Sequence, residues 1–176
     1  LVLGNPISSE MSVMRSTLWP GMLKAAAANA SRQQDRIRLF EFGKSCHGAL
    51  GDHTEVVRIA GLAIGSTLPE QWGSKAQSVD FFDIKADVSA LLRLAVDELS
   101  VEFVAAEHAA LQPGQTANIV RGDALVGTVG KLHPRNAKAF DIKRDVFLFE
   151  LDARVALGSA TPTASPVSRF PSIRRN

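Results

Sequence analysis

An α+β architecture, an antiparallel sheet flanked by helices, follows from three features of this 176-residue chain. Several β-type stretches alternate with about three helical ones. The run Arg121-Gly122-Asp123 between two apolar stretches is a hairpin signal. The connections are short, which favours neighbouring antiparallel strands over a doubly wound parallel sheet.

The elements follow in order. Asn5-Pro6 marks a turn, after Val2-Leu3-Gly4 as the end of a strand. Pro20 opens a helix at a position where its missing N–H is harmless, and Met22, Leu23, Ala26, Ala27 and Ala30 fall on one face. Asn29 to Asp35 closes it in polar residues. Arg36 to Phe42 is a strand rich in β-favouring Ile37, Phe40 and Phe42, with a break bracketed by Gly43 and Gly48. Asp52-His53-Thr54 is expected as a turn. Val56 to Ile64, apolar except for Arg58, is a central strand, and Thr67 to Ser78 a loop. The strongest helical stripe is Ile84, Val88, Leu91, Leu92, Ala95, Val96 and Leu99, with Asp83 as its cap. A short strand at Val101, Phe103 and Ala105 precedes the hairpin of Thr116–Val120 and Leu125–Leu132. Pro134 then opens a short helix with Ala137 and Phe140 inward, Val146 to Leu151 is the last strand, and Ala153 to Leu157 begins a final helix.

Composition mostly excludes. Lys+Arg 20 against Asp+Glu 18 gives +2, which argues against a dedicated polyelectrolyte-binding arm. One cysteine, Cys46, rules out an internal disulfide and a multi-cysteine metal site. Adjacent Cys46 and His47 point to opposite faces of a strand and form no catalytic pair. The chain has no Tyr, no Gly-Xaa-Ser-Xaa-Gly elbow, no phosphate loop and no paired-histidine zinc spacing among His47, His53, His108 and His133. Asp80, Asp83 and Asp87 could suggest a metal, but Asp83 and Asp87 stand one turn apart at a helix start, where they serve cap and dipole. Lys131, Arg135, Lys138, Lys143 and Arg144 make a mildly basic patch without stacking aromatics, a solvated face before it is a nucleic-acid contact. The start at Leu1 and the Pro/Ser/Thr-rich stretch 158–166 predict a piece of a longer polypeptide, with a core domain over 1–157 and a linker after it.

Six segments carry a resemblance. They are 5–21 with Met14-Arg15-Ser16-Thr17-Leu18-Trp19-Pro20-Gly21, Arg38-Leu39-Phe40-Glu41-Phe42-Gly43-Lys44, Phe81-Phe82-Asp83-Ile84-Lys85-Ala86-Asp87-Val88, Leu111-Gln112-Pro113-Gly114-Gln115-Thr116-Ala117, Gly127-Thr128-Val129-Gly130-Lys131-Leu132-His133-Pro134 and Ser168-Arg169-Phe170-Pro171-Ser172-Ile173-Arg174-Arg175. In this order the chain resembles the β subunit of bacterial phenylalanyl-tRNA synthetase. The resemblance implies a class II synthetase-like fold, a cytoplasmic α2β2 enzyme and 167–176 as the opening of an anticodon-binding domain. It implies ATP and magnesium for the whole enzyme, with no catalytic, cofactor or metal residue in this piece, because the active site belongs to the α subunit.

The resemblance also marks what is missing. Active class II domains end their second motif in Arg with an acidic residue two places on; Gly43-Lys44-Ser45-Cys46-His47-Gly48-Ala49 is similar, with His47 and Ala49 at those places. Histidine cannot grip a phosphate bidentately as a guanidinium does. The third motif, Gly-Xaa-Gly-Xaa-Xaa-Arg, is matched by a stretch with Glu150 and Asp152 for the glycines and Val155 for the Arg. A shift of one would bring Arg154 to the Arg place and still leave no glycine. One like-charge pair at about 4 Å is unfavourable by about 4 kcal/mol at an effective dielectric near 20, so two carboxylates oppose a triphosphate. The implied role is a non-catalytic structural and assembly domain, with Met11, Met14, Leu18 and Trp19 packing the core and one face against the α subunit. A tRNA(Phe)-contacting module and a residual nucleotide-binding enzyme are the other readings.

Overall fold

A computed structural model of the chain describes residue 2 and residues 13–49, 52–73, 75–93 and 101–158. Six strands form one antiparallel sheet: β1 (Ile37–Ala49), β2 (Asp52–Ile64), β3 (Glu102–Ala105), β4 (Leu111–Arg121), β5 (Ala124–Leu132) and β6 (Val146–Asp152). Their spatial order is β1-β2-β6-β5-β4-β3, every neighbouring pair antiparallel. The last strand in sequence therefore lies at the middle, and its run Val146 to Phe149 is buried throughout.

Helices cover both faces. On one side α1 (Trp19–Ser31) and α3 (Pro134–Ala139) close a core of Leu18, Trp19, Met22, Leu23 and Ala26 against Leu62, Ile64 and Leu148. On the other, α2 (Phe81–Arg93) and α4 (Ala153–Leu157) bring Ile84, Val88, Leu92, Ala153 and Ala156 onto Ile59, Phe147, Phe149 and Leu151. Strand alternation sorts the side chains: odd residues of β1 and even residues of β6 share the α1 side.

Four boundaries differ from expectation. β1 does not break at Gly43 and Gly48; it pairs without interruption from Ile37↔Ile64 to Ala49↔Asp52. The Arg15 guanidinium lies over the strand at Gly43, where a Cβ would require that side chain to move aside. Asp52 to Thr54 is accordingly paired strand rather than turn, and β1 and β2 project past β6 as a long hairpin arm. The cap of α2 is Asp80, not Asp83. Phe82 N and Asp83 N donate to Asp80 Oδ1 at 2.7 and 3.0 Å, while Asp83 Oδ2 accepts from Asp80 N at 2.8 Å, a reciprocal capping box. β4 begins at Leu111, not Thr116, through an irregular register that leads round Gly114, whose φ is +78°.

The expected hairpin closes across Gly122-Asp123, with Arg121 opposite Ala124. The short helices at Pro134 and Ala153 both form. Val2 bridges Val13. The turn at Asn5-Pro6, the stripe positions Ala95, Val96 and Leu99, the linker from 159 to 166 and segment 167–176 lie outside the described residues. No helix among the described residues is long and apolar enough to cross a membrane.

Candidate functional site

The α1 face of the sheet has two halves. The half nearest Ile37, Ile64 and Val146 is apolar and covered by α1 and α3. The other half carries Ser45 and His47 from β1, Arg58 from β2, Glu150 and Asp152 from β6 and Thr128 from β5, and stays open. It forms a cleft of about 690 Å³, walled by Thr17, Trp19, His108, Ala110, Leu125 and Val126.

Its two carboxylates are already engaged. Glu150 Oε1 accepts from Leu18 N at 2.7 Å and from the Thr17 hydroxyl at 2.8 Å. Thr17 Oγ1 in turn accepts from Trp19 N at 3.3 Å, and Trp19 Nε1 donates to Phe149 O at 3.1 Å. Leu18 sits at the N-cap of α1 with no capping side chain of its own, and Glu150 accepts its main-chain N–H from across the sheet, as the carboxylate of a capping box would. Asp152 Oδ1 accepts from Arg154 N at 2.9 Å and Val155 N at 3.3 Å, capping α4. The far end of α4 is held by Arg121, whose Nη1 and Nη2 donate to Val155 O at 2.9 Å and Ala156 O at 3.2 Å.

On the opposite strands, Ser45 is fully buried, and its hydroxyl lies 3.0 Å from His47 Nε2 and receives Arg58 Nε at 3.3 Å. His108 meets the Trp19 ring edge-on at 5.2 Å. Just outside the cleft, Arg15 pairs with Glu41 at 2.5 Å and donates through Nε to Lys44 O at 2.9 Å. Cys46 points to the far side, with its N–H on Arg15 O at 2.8 Å, so it is no partner for His47.

Of the positions marked in the sequence, the structure brings His47, Glu150 and Asp152 together. Ala49 stands two residues beyond His47 at the exposed end of the hairpin arm, and Val155 packs half-buried on the α2 side. Leu18 and Trp19 turn inward, 0% and 6% exposed. Met14 is half-buried, and Met11 lies outside the described residues. Arg58 and Thr17 went unnoticed as site residues. Arg58 had left a signal as the one charge in an otherwise apolar strand, whereas nothing in sequence links Thr17 to a carboxylate 133 residues away.

The basic patch is partly neutralised: Lys131 pairs with Asp145 at 2.8 Å and Arg144 with Asp35. No group of three His, Cys, Asp or Glu among the described residues could hold a metal ion.

Comparison with known proteins bears on the family and the fold of this chain. A family model for the phenylalanyl tRNA synthetase beta chain CLM domain matches residues 1–153. The phenylalanine–tRNA ligase beta subunit of Pseudomonas putida is 49% identical over 176 residues, covering 100% of this chain and 22% of that protein. The same subunit of Nitrosococcus oceani is 45% identical over 177 residues, again 100% of this chain and 22% of the relative. The chain thus spans about a fifth of the length of these relatives. Among solved structures, a pyrrolysyl tRNA synthetase from Desulfitobacterium hafniense superposes with a TM-score of 0.55 at 14% identity, over 81% of this chain and 48% of that one. That likeness shows a shared fold, the class II synthetase-like α+β fold expected from the sequence.

Proposed function

The chain belongs to the family of phenylalanyl-tRNA synthetase beta chains, and from that premise we propose that it is a non-catalytic structural and assembly domain. In this reading the β subunit joins an α subunit in an α2β2 ligase that charges tRNA(Phe) with phenylalanine, and the α subunit carries the chemistry. The carrying observation is the use of Glu150 and Asp152. The carboxylates lining the cleft are tied to the first amides of α1 and α4. They are structural fasteners.

ATP and magnesium, which the whole enzyme needs, do not fit this cleft. A triphosphate would meet two carboxylates and a single fully charged side chain of opposite sign, Arg58. The glycines that let backbone approach a nucleotide are absent from β6. No catalytic step is assigned here.

An assembly role needs an exposed apolar surface. Edge strand β1 offers Phe40 and Phe42, 83% and 62% exposed, on the side away from the cleft. Val13 is also exposed, beside half-buried Met14 and next to Met11 in sequence. Leu18 and Trp19 contribute from inside, by fixing the end of this segment to the core. The tRNA-contacting alternative loses ground with the pairing of Lys131 and Arg144.

The test uses the full-length β chain co-produced with its α partner. Calorimetry with a non-hydrolysable ATP analogue should count two nucleotide sites per α2β2 particle; four would refute the non-catalytic reading. Phe40→Ser combined with Phe42→Ser should shift the particle toward separate subunits in light scattering. An intact heterotetramer would refute the placement of the interface.

A further inference from the structure

Arg58 is not accounted for by anything above. It is the only charged residue in the strand from Val56 to Ile64. Its Nε is tethered to Ser45 Oγ at 3.3 Å, and Ser45, fully buried, is itself steadied by His47 and by Val56 O at 3.5 Å. The tether aims the guanidinium but occupies one corner of it. The two terminal nitrogens meet no acceptor and no carboxylate among the described residues. Other arginines differ: Arg15, Arg38, Arg121 and Arg144 spend their forks on Glu41, Asp87, the end of α4 and Asp35. Arg58 alone among these five presents an open fork to a cleft of about 690 Å³, within the range of small-molecule sites.

We propose that this cleft binds a small organic monocarboxylate, with Arg58 as its anchor. The planar fork suits a carboxylate through two parallel hydrogen bonds. Its burial is partial, so the ion is not fully stripped of water before the ligand arrives. Charge decides between anions. Asp152 is the register neighbour of Arg58 on β6, and Glu150 lies one pleat along. Both repel an incoming anion, and a dianion such as a phosphate monoester feels each repulsion about twice as strongly as a monoanion does. The remaining wall asks for an apolar body: Trp19, Ala110 and Leu125, the last 55% exposed although it is a large aliphatic side chain. His108, edge-on to Trp19, closes that side. The cleft therefore pairs one guanidinium with an apolar wall, the recognition chemistry of an aryl or branched aliphatic acid.

The experiment soaks crystals of the assembled α and full-length β chains in 4-iodobenzoate and, separately, in tungstate as a phosphate mimic, and locates each by anomalous scattering. An iodine peak in the β cleft with the carboxylate on Arg58 is expected, with no tungsten there. Occupancy should fall at least tenfold in Arg58→Met and partly in Arg58→Lys, which keeps the charge and loses the fork; the refined maps report directly whether either variant is folded. No iodine peak in the wild-type cleft overturns the proposal. So does tungstate without iodobenzoate, or an iodine peak that survives in Arg58→Met.

Discussion

Glu150→Ala is the most direct probe of how this domain is held together. The substitution removes the acceptor of two hydrogen bonds at once, from Leu18 N and from the Thr17 hydroxyl. Leu18 is 0% exposed, so its amide relies on an acceptor that the fold brings to it. An unpaired buried donor costs about 1–3 kcal/mol, and a bond to a charged acceptor contributes about 1.5–3 kcal/mol. The two losses share one carboxylate and do not simply add, which places the effect near about 3 kcal/mol for alanine. Glu150→Gln keeps an oxygen in place and gives up only the charge, so about 1 kcal/mol is expected. The suitable assay is amide hydrogen exchange by mass spectrometry on the assembled enzyme, because a multidomain particle has no single unfolding free energy. Peptides from α1 should exchange about 150-fold faster in Glu150→Ala and about fivefold faster in Glu150→Gln, since each 1.4 kcal/mol is a factor of ten. Peptides from α2, on the other face, should not change. If α1 protection in the alanine variant stays within about threefold of wild type, well under one such factor of ten, the reasoning fails and Glu150 is not the acceptor on which α1 depends.

Two further outcomes follow from the packing and the charges. Gly127→Ala would press a Cβ against the Glu150 carbonyl and bring it 2.8 Å from Leu151 Cα, both backbone atoms that cannot swing away; overpacking of about 1–3 kcal/mol should speed amide exchange in the β5 and β6 peptides of the assembled enzyme, and unchanged exchange there would contradict the close spacing of β5 and β6. On the hairpin arm, the Lys44 hydrogen bond and charge hold the Glu55 carboxyl below its ordinary 4.5, while Glu55 holds Lys44 above 10.5. The Glu55 contribution is present above its unfolded value and is lost as pH falls through the lowered folded one; the Lys44 contribution is present below 10.5 and is lost as pH rises through the raised one. Lys44→Met should therefore move the Glu55 titration midpoint, read by carbon NMR, upward toward 4.5, with little change in stability at pH 7 because both groups are exposed.

Much of the scaffold could be read from local pattern. The stripe of α2, the apolar run of β6 and the Gly122-Asp123 hairpin each announce themselves within a dozen residues, and burial follows the announced faces. The hairpin arm did not, because Gly43 and Gly48 look like breaks, whereas both pair within a continuous strand, with Arg15 lying over Gly43. Asp80 was overlooked as a cap because Asp83 answers it with a bond in the other direction. The cleft was legible in part. Positions on facing strands, His47, Glu150 and Asp152, do converge, but Val155 lies within α4, which turns to the other side, and a linear motif carries no information about that turn.

The same geometry explains why the cleft is not simply a catalytic site lacking a few residues. On the resemblance carried by the sequence, an active third motif is expected to have glycines at the places of Glu150 and Asp152, leaving room for a nucleotide. In this chain those two side chains satisfy the amides at the start of α1 and α4, and Leu18, the residue Glu150 serves, is part of the core under α1. Substituting glycine at both positions would open the floor of the cleft and in the same step leave two helix starts without acceptors. Nucleotide binding and helix docking thus compete for the same two positions of β6, and the hydrogen bonds seen there favour docking. A ligand that enters this cleft has to accept Glu150 and Asp152 as they are, which is why the open fork of Arg58, one strand away from both, is the feature around which any retained binding would be organised.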